Sequence, residues 1–419
     1  MSDAPLAAAA PPRLTRADQV RAGLILLTLA LFTTASLVHY AMGVMALAGI
    51  VEFVRERHWH HPLARTLGML FALLWLPMLI AWPTAVSREH TAGVVLPYLH
   101  LLPAAWFVAR ACLNPGVRRV VSQGAVILAA FIAIDAFAQL FWHQDLFGYP
   151  YKRGVLKGVF HPKQRLGLFL AVFAPLYCAT VLGWCRRHVA LVVLLVPMVV
   201  VLLMSLKRSA WIMLVFGLLF FVLAWVRRRG VRRIALSRVL VVALLLALAA
   251  GATLSNASLR ARLAETSGVF STDLARFDKA SAYRLTLWRT GLRIFVDHWL
   301  TGIGPRGFRH AYADYAPKDD FWLKRTGQGQ THPHQVLLEI AIETGVIGLM
   351  AFLVFYGLLL ARLLRAPCDT PVPAWLVGAA VAWLPLNAHL AFYGSYWSSL
   401  AWLVLAVGLA ETATAREAA

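Results

Sequence analysis

The sequence predicts an all-α polytopic membrane protein with about twelve transmembrane helices and one long outer loop that contains helices of its own. Three observations lead there. Of the 419 residues, 60% are hydrophobic and only 14% charged, and the mean hydropathy of +0.69 lies far from the balance of a soluble domain. Apolar stretches recur almost from end to end, and a hydrocarbon core of about 30 Å needs roughly 20 such residues per helix. Finally, Lys and Arg concentrate in alternate short loops, the asymmetry that orients membrane helices.

Residues 1–21 read as a tail, with an alanine run, Pro11 and Pro12, then Arg13 and Arg16. No small-residue cleavage site follows an apolar core, so a cleaved signal is not expected. Nine spans are then read at 22–38, 41–54, 67–85, 94–111, 120–141, 166–184, 189–204, 210–226 and 239–254. A loop at 255–331 separates these from spans at 336–360, 374–390 and 396–410, and a second tail follows at 413–419. The region 332–412 therefore holds the last three spans and the segment that leads into them. Alternate loops carry Arg55, Arg57 and Arg65; Arg110, Arg118 and Arg119; Arg186 and Arg187; Arg227, Arg228, Arg229, Arg232 and Arg233; and Arg362 and Arg365. These loops are expected inside the cell, with both termini, since the number of spans is even. Cys112, Cys178, Cys185 and Cys368 lie in or beside apolar stretches without a Cys-x-x-Cys pair, which argues against a disulfide framework or a zinc site.

Charge on the outer face runs against this bias. The 255–331 loop is richer in Arg and Lys than in Asp and Glu, and other outer loops add Arg88, Lys152, Arg153, Lys157, Lys163, Arg165, Lys207 and Arg208. For any one of these residues, a solvated anchor on anionic lipid is the better reading. Converging from four loops, they point to an anionic ligand, with phosphate the natural candidate.

Several residues could carry chemistry. Arg208 stands in the tight hairpin Met204-Ser205-Leu206-Lys207-Arg208-Ser209, at the membrane boundary, where a charge snorkels or finds a partner. Residues 281–300 read as an amphipathic helix with Leu285, Trp288, Leu292, Phe295, Val296 and Trp299 on one side. Arg289 and Arg293 flank that stripe on one side and Arg284 on the other; an interfacial helix explains the first two well and Arg284 less well. In Thr331-His332-Pro333-His334, Pro333 is expected to hold the histidines at the outer mouth of the tenth span, where an imidazole can accept a proton at neutral pH. A surface cap is the commoner role for such a histidine, and the spacing does not suit a metal site. Gly302-Ile303-Gly304-Pro305-Arg306-Gly307 matches a dinucleotide fingerprint in letters alone, because a helix precedes it and Pro305 interrupts it; a glycine-enabled turn suffices. Asp135 reads as a buried polar contact between helices, slightly ahead of a functional acid. Glu339 and Glu343, one turn apart, are suited to orienting an Arg or His.

The stretch from His334 through Leu338, Glu343 and Gly345 to Gly348 resembles the family of O-antigen ligases and polymerases, in which a histidine opens a membrane helix and Leu, Glu, Gly and Gly follow at fixed spacing. Gln335 replaces the family's usual Asn. The turn at 302–308, preceded by Arg284 and Trp288 in an Arg-x-x-x-Trp helix, is similar to the family's glycine-proline-glycine turn. Lys207-Arg208-Ser209-Ala210 resembles its Ser-Arg-Ser element, and His161-Pro162-Lys163-Gln164 matches a further element more loosely. Together the matches cover 160–348.

The resemblance implies a GT-C-like enzyme of the bacterial inner membrane that works at the periplasmic face. It implies an inverting, metal-independent transfer of glycan from undecaprenyl pyrophosphate to a sugar hydroxyl of lipid A-core. His334 would be the base, with Arg208 and Arg284 on the pyrophosphate; Arg88, Arg165, Arg289, Arg293 and His332 would be further substrate-binding residues. Membrane lipids are expected partners; a cofactor or nucleic acid is not. An O-antigen polymerase or a protein O-oligosaccharyltransferase would share the donor chemistry. A glycolipid flippase is the reading from another class, and it expects midplane polar residues or broken helices, of which Asp135 is the main instance.

Overall fold

The computed structural model describes residues 14–34, 36–152, 154–185, 188–229, 247, 251, 255–268, 271–367, 371–388 and 391–417. Among them no strand forms, and isolated bridges pair Gln144 with Pro150 and Lys152 with Val155. The helices before the long loop are α1 (Arg16–Leu31), α2 (Leu37–Arg55), α3 (Pro62–Ala81), α4 (Arg88–Tyr98), α5 (Leu101–Leu113), α6 (Pro115–Trp142), α7 (Leu166–Trp184), α8 (Leu195–Met204) and α9 (Arg208–Arg229). The loop carries α10 (Ala257–Ser267), α11 (Leu274–Ala280), α12 (Arg284–Asp297), α13 (Phe308–Tyr315) and α14 (Phe321–Thr326), and α15 (Val336–Leu364), α16 (Ala374–Ala382) and α17 (Ser395–Glu417) close the chain. Starts are written locally: Thr15 and Asp18 cap α1 reciprocally, and Pro62 and Pro115 stand in the first turns of α3 and α6 behind the caps His61 and Asn114.

Eight helices among the described residues are long and apolar enough to cross a membrane: Leu37–Arg55, Pro62–Ala81, Arg88–Leu113, Pro115–Trp142, Leu166–Trp184, Arg208–Arg228, Val336–Leu364 and Ser395–Thr414. The protein is an all-α polytopic membrane protein. Of the other four expected spans, three differ and one lies almost wholly outside the described residues. The stretch 22–38 straddles a break, because α1 ends at Leu31 and the amides of Thr33 and Thr34 fold back onto Ala30 and Leu31. The stretch 189–204 begins as a 3-10 turn over Val189–Leu194 and continues as α8 (Leu195–Met204), an apolar helix shorter than the eight spans. The stretch 374–390 stops at Ala382, where the Asn387 side chain donates to the carbonyls of Val381 and Ala382 at 3.2 Å. The stretch 239–254 lies outside the described residues apart from 247 and 251, as do Arg153, Arg186, Arg187, Arg232, Arg233 and Cys368.

Helices α7 and α17 form the centre. Their most apolar windows are 72% and 83% buried, against 28% for α9, which turns Val215, Val222 and Leu223 outward to lipid. Lipid supplies no hydrophobic force between helices, so the bundle relies on close packing and hydrogen bonds of about 0.6 kcal/mol each. Such bonds include Trp402 Nε1 to Tyr98 Oη at 3.0 Å and Tyr356 Oη to the Ala380 carbonyl at 3.1 Å.

One break positions the loop. At Gly345, α15 leaves helical geometry with φ 65° and ψ −167°. Segment 299–304 docks there, with Val346 N donating to Trp299 O at 2.8 Å, Ile303 N to Ile342 O at 3.0 Å and Gly304 N to Glu343 O at 2.9 Å. A Cβ at Gly345 would lie 2.1 Å from the Leu300 oxygen, so glycine is required by both conformation and space. The Glu343 carboxylate finishes the joint, accepting from Arg306 N at 2.6 Å and Phe308 N at 3.4 Å.

Helix α12 corrects the expected apolar stripe. Its buried face is Leu287, Thr290, Gly291 and Ile294, while Leu292, Val296 and Trp299 are exposed. Gly291 is the reason: without a side chain it lets α12 press onto Leu338 and Ile342 of α15, which centres the contact on that position. Trp288 and Phe295 border the buried face.

Candidate active site

The site forms where α15 begins. Gln335 caps that helix, its side-chain oxygen accepting from Leu338 N at 2.5 Å and its amide donating to Pro385 O at 3.3 Å. Pro333 stands before this cap and not in the first helical turn, and Trp288 Nε1 holds its carbonyl at 3.1 Å. Between these two anchors His334 adopts φ +55°, a left-handed conformation that costs a non-glycine residue roughly 1–2 kcal/mol. Its Nδ1 is buried with no hydrogen-bond partner.

Arg284 opens α12 beside it. The start of that helix is tied by Asp278, which accepts from Leu285 N at 2.9 Å and the Thr286 hydroxyl at 3.0 Å, and by the Ser281 hydroxyl, which accepts from Arg284 N at 3.2 Å. Asp278 is thereby occupied, and Arg284 Nη2 donates to the Ala388 carbonyl at 3.1 Å. From the α8–α9 hairpin, Arg208 donates to the Ala280 carbonyl and lies 3.4 Å from Glu265. Glu265 also meets Arg262 of α10 at 2.6 Å.

The electrostatics bind these residues into one cluster. Burial first, then the charges of Arg284 and Lys207, pull the His334 pKa down to about 4. Burial, Arg208 and Arg262 bring Arg284 down to about 10. Lys207 is lowered by burial and by Arg262, Arg284 and Lys157. Like charges have been gathered at a partly dehydrated place, with Glu265 the carboxylate set against them. Such a place stabilises an incoming polyanion, and it keeps an imidazole neutral and able to take a proton.

Of the residues anticipated from sequence, the structure brings together His334, Arg284 and Arg208, and lays His332 beside His334 with ring centroids 4.0 Å apart. It does not bring the others there. Arg289 and Arg293 are exposed on α12, the latter 3.3 Å from the Tyr315 carbonyl. Arg165 lies 3.8 Å over the Tyr396 ring, and Arg88 is exposed at the start of α4. Arg262 and Lys157 stood in the sequence only as loop charge, and Lys207 as loop charge and as the neighbour of Arg208 in the hairpin. Adjacency to Arg208 in a tight hairpin was a usable signal for Lys207; nothing in the sequence pointed to Arg262 or Lys157.

The intramembrane acids Asp135 and Glu339 each have one oxygen on a backbone amide and the other buried without a partner. Asp135 accepts from Leu146 N at 2.9 Å, so its contact is with the following loop and not with another helix. Gln139 accepts from Gly158 N at 3.2 Å, and Leu156 N donates to Met204 O at 3.1 Å, which seats Lys157 beside the hairpin. Glu339 accepts from Phe392 N at 2.9 Å. Among the described residues, no group of three or more His, Cys, Asp or Glu could hold a metal ion.

A family model described as O-antigen ligase matches residues 190–353. The match contains His334, Arg284, Arg208, Lys207, Arg262, Glu343 and Gly345, and it supports a function of the O-antigen ligase or polymerase type. No curated protein matches the chain.

Proposed function

We propose, from the match of residues 190–353 to a family model described as O-antigen ligase, that it is a membrane glycosyltransferase ligating a lipid-linked glycan to a glycolipid. The donor is glycan on undecaprenyl pyrophosphate, and the acceptor is a sugar hydroxyl of lipid A-core. One observation carries this reading: an imidazole whose buried Nδ1 has no hydrogen-bond partner lies beside Arg284 and Lys207, which in turn lie beside Arg208 and Arg262, with Glu265 a carboxylate against the arginines.

Arg284 and Arg208 receive the pyrophosphate. Planar guanidinium groups bind its oxygens with paired hydrogen bonds and stabilise the charge that grows as it departs. His334 takes the proton of the acceptor hydroxyl while that oxygen bonds to the anomeric carbon from the face opposite the pyrophosphate. The bond from carbon to pyrophosphate oxygen breaks, and its electron pair leaves with undecaprenyl pyrophosphate. The anomeric configuration inverts, and no metal takes part. A pKa of about 4 makes free His334 a weak base. The bound diphosphate offsets Arg284 and Lys207, so the imidazole grows more basic when the donor is in place. The Arg-rich alternate short loops support placing both termini in the cytoplasm, which puts the site, built from the expected outer loops, at the periplasmic face of the inner membrane.

The test is transfer by the full chain reconstituted in vesicles with defined donor and acceptor. Joined product together with released undecaprenyl pyrophosphate is expected; glycan that moves without being joined would instead indicate a transporter. In cells, deletion leaves long glycan on the lipid carrier and none on lipid A-core, whereas loss of a polymerase would leave single repeats attached.

A further inference from the structure

A second cationic site lies on the other side of the Gly302–Gly307 turn. An open groove of about 370 Å³ is lined by Glu89, His90, Gly93, Val94, Arg306 and Arg309. Among the described residues neither Arg306 nor Arg309 forms an ion pair, and Arg309 Nε is buried without a hydrogen-bond partner. His310 packs its ring 4.5 Å from that of His90, and its Nε2 is likewise buried and unpartnered. Burial and the neighbouring Arg306 lower the Arg309 pKa, so the guanidinium groups press on one another as those of the first cluster do. The charges acting on His334 are Arg284 and Lys207, those acting on Arg309 are Arg306 and Glu343, and the two sets share no member.

The groove is also built to last. Arg306 has φ +66° in the turn, and its own amide and that of Phe308 are pinned by Glu343. Thr91 donates to the Pro305 carbonyl at 3.2 Å and Val86 N to Ile303 O at 3.0 Å, which fixes the turn against the start of α4. Helix α4 begins a candidate membrane span, and the exposed apolar residues Val86, Trp299 and Leu300 adjoin the same turn. Guanidinium groups facing a groove beside an apolar strip at the end of a span suit an amphiphile with an anionic head. Glu89 also lines the groove and is exposed to solvent, which screens its charge.

We propose that the groove of Arg306, Arg309 and His90 seats a phosphate monoester, separately from the cluster at His334. This goes beyond the glycan-transfer reading and does not rest on it. The phosphate is held by paired guanidinium bonds, and the His90 imidazole completes its shell.

The full chain in detergent is titrated with phosphatidic acid and, separately, with phosphatidylcholine, and native mass spectrometry counts the lipid retained. Phosphatidic acid is retained preferentially. Arg309→Gln, which removes no hydrogen bond seen in the structure, weakens that retention severalfold; Arg306→Gln with Arg309→Gln weakens it about tenfold or more. The same losses occur in an Arg284→Gln background, where the other cluster is impaired. Competition by millimolar inorganic phosphate identifies free phosphate as sufficient; retention undisturbed by it identifies a lipid headgroup as the ligand. Equal retention of the two lipids, or no loss in either variant, overturns the site. Loss already complete in Arg284→Gln alone overturns its separateness. Glycan transfer is not the readout, so either proposal can fail while the other stands.

Discussion

The two ends of the first segment of α15 treat charge in opposite ways. At its mouth, His334 has an unpartnered ring nitrogen among cations that repel one another. At its break, Glu343 is covered by two backbone amides and locks the 302–308 turn in place. Frustrated charge at the mouth is free energy held for a ligand; satisfied charge at the break makes the joint that keeps the mouth in position.

The largest effect follows from removing the imidazole. His334→Ala lowers transfer by about 10² to 10⁴, with helix content and membrane insertion unchanged; a near-normal rate in that variant refutes the base assignment. Arg284→Ala and Arg208→Ala each cost about 10² to 10³ in rate, as loss of a charge-stabilising donor does, and Lys replacements restore little of it. Complete rescue by Lys would reduce these residues to point charges.

At the break the outcome is different in kind. Glu343→Gln keeps an acceptor oxygen for one backbone amide but turns an NH2 group to the other, so stability falls by about 1–3 kcal/mol, read as a lowered thermal midpoint. The pH profile of the residual activity keeps its shape, and a shifted profile would mean that Glu343 acts on the reacting groups.

pH sharpens the contrast further. His334 works neutral, so kcat/KM falls as pH drops through the free-enzyme pKa of about 4 and is level above it. The acid limb of kcat lies higher, because the bound diphosphate offsets Arg284 and Lys207. Lys207→Ala moves the kcat/KM limb upward by removing one of the charges that depress it. A limb that ignores Lys207 would disconnect the hairpin from the imidazole. The smallest effect is none at all: EDTA leaves turnover unchanged, and inhibition reversed by a divalent ion would replace the metal-free mechanism.

Much of this comparison could be read from the chain. The eight long apolar helices follow from composition alone, since lipid accepts only helices that satisfy their own backbone. His334, Arg208 and Arg284 were named from local pattern, because a proline-flanked histidine before a span and an arginine in a tight hairpin each carry a local signature. Helix ends and faces were harder. The stretch 374–390 is apolar enough to span, yet Asn387 ends its helix through its own side chain. The apolar stripe on α12 was drawn around Leu292 and Val296, whereas Gly291, which has no hydrophobicity to score, marks the buried face.

By itself the sequence determined the solvent of the chain and the approximate place of most spans, and it singled out three members of the candidate cluster, since each depends on residues close together along the chain. Only the tertiary structure decided that Lys157, Lys207 and Arg262 surround them, that Glu265 is the carboxylate placed against them, and that Glu343 and Asp135 grip backbone amides. Electrostatic influence acts through space, and helix packing brings together charges from the 152–158 loop, the α8–α9 hairpin, α10 and α12 that no sequence period relates.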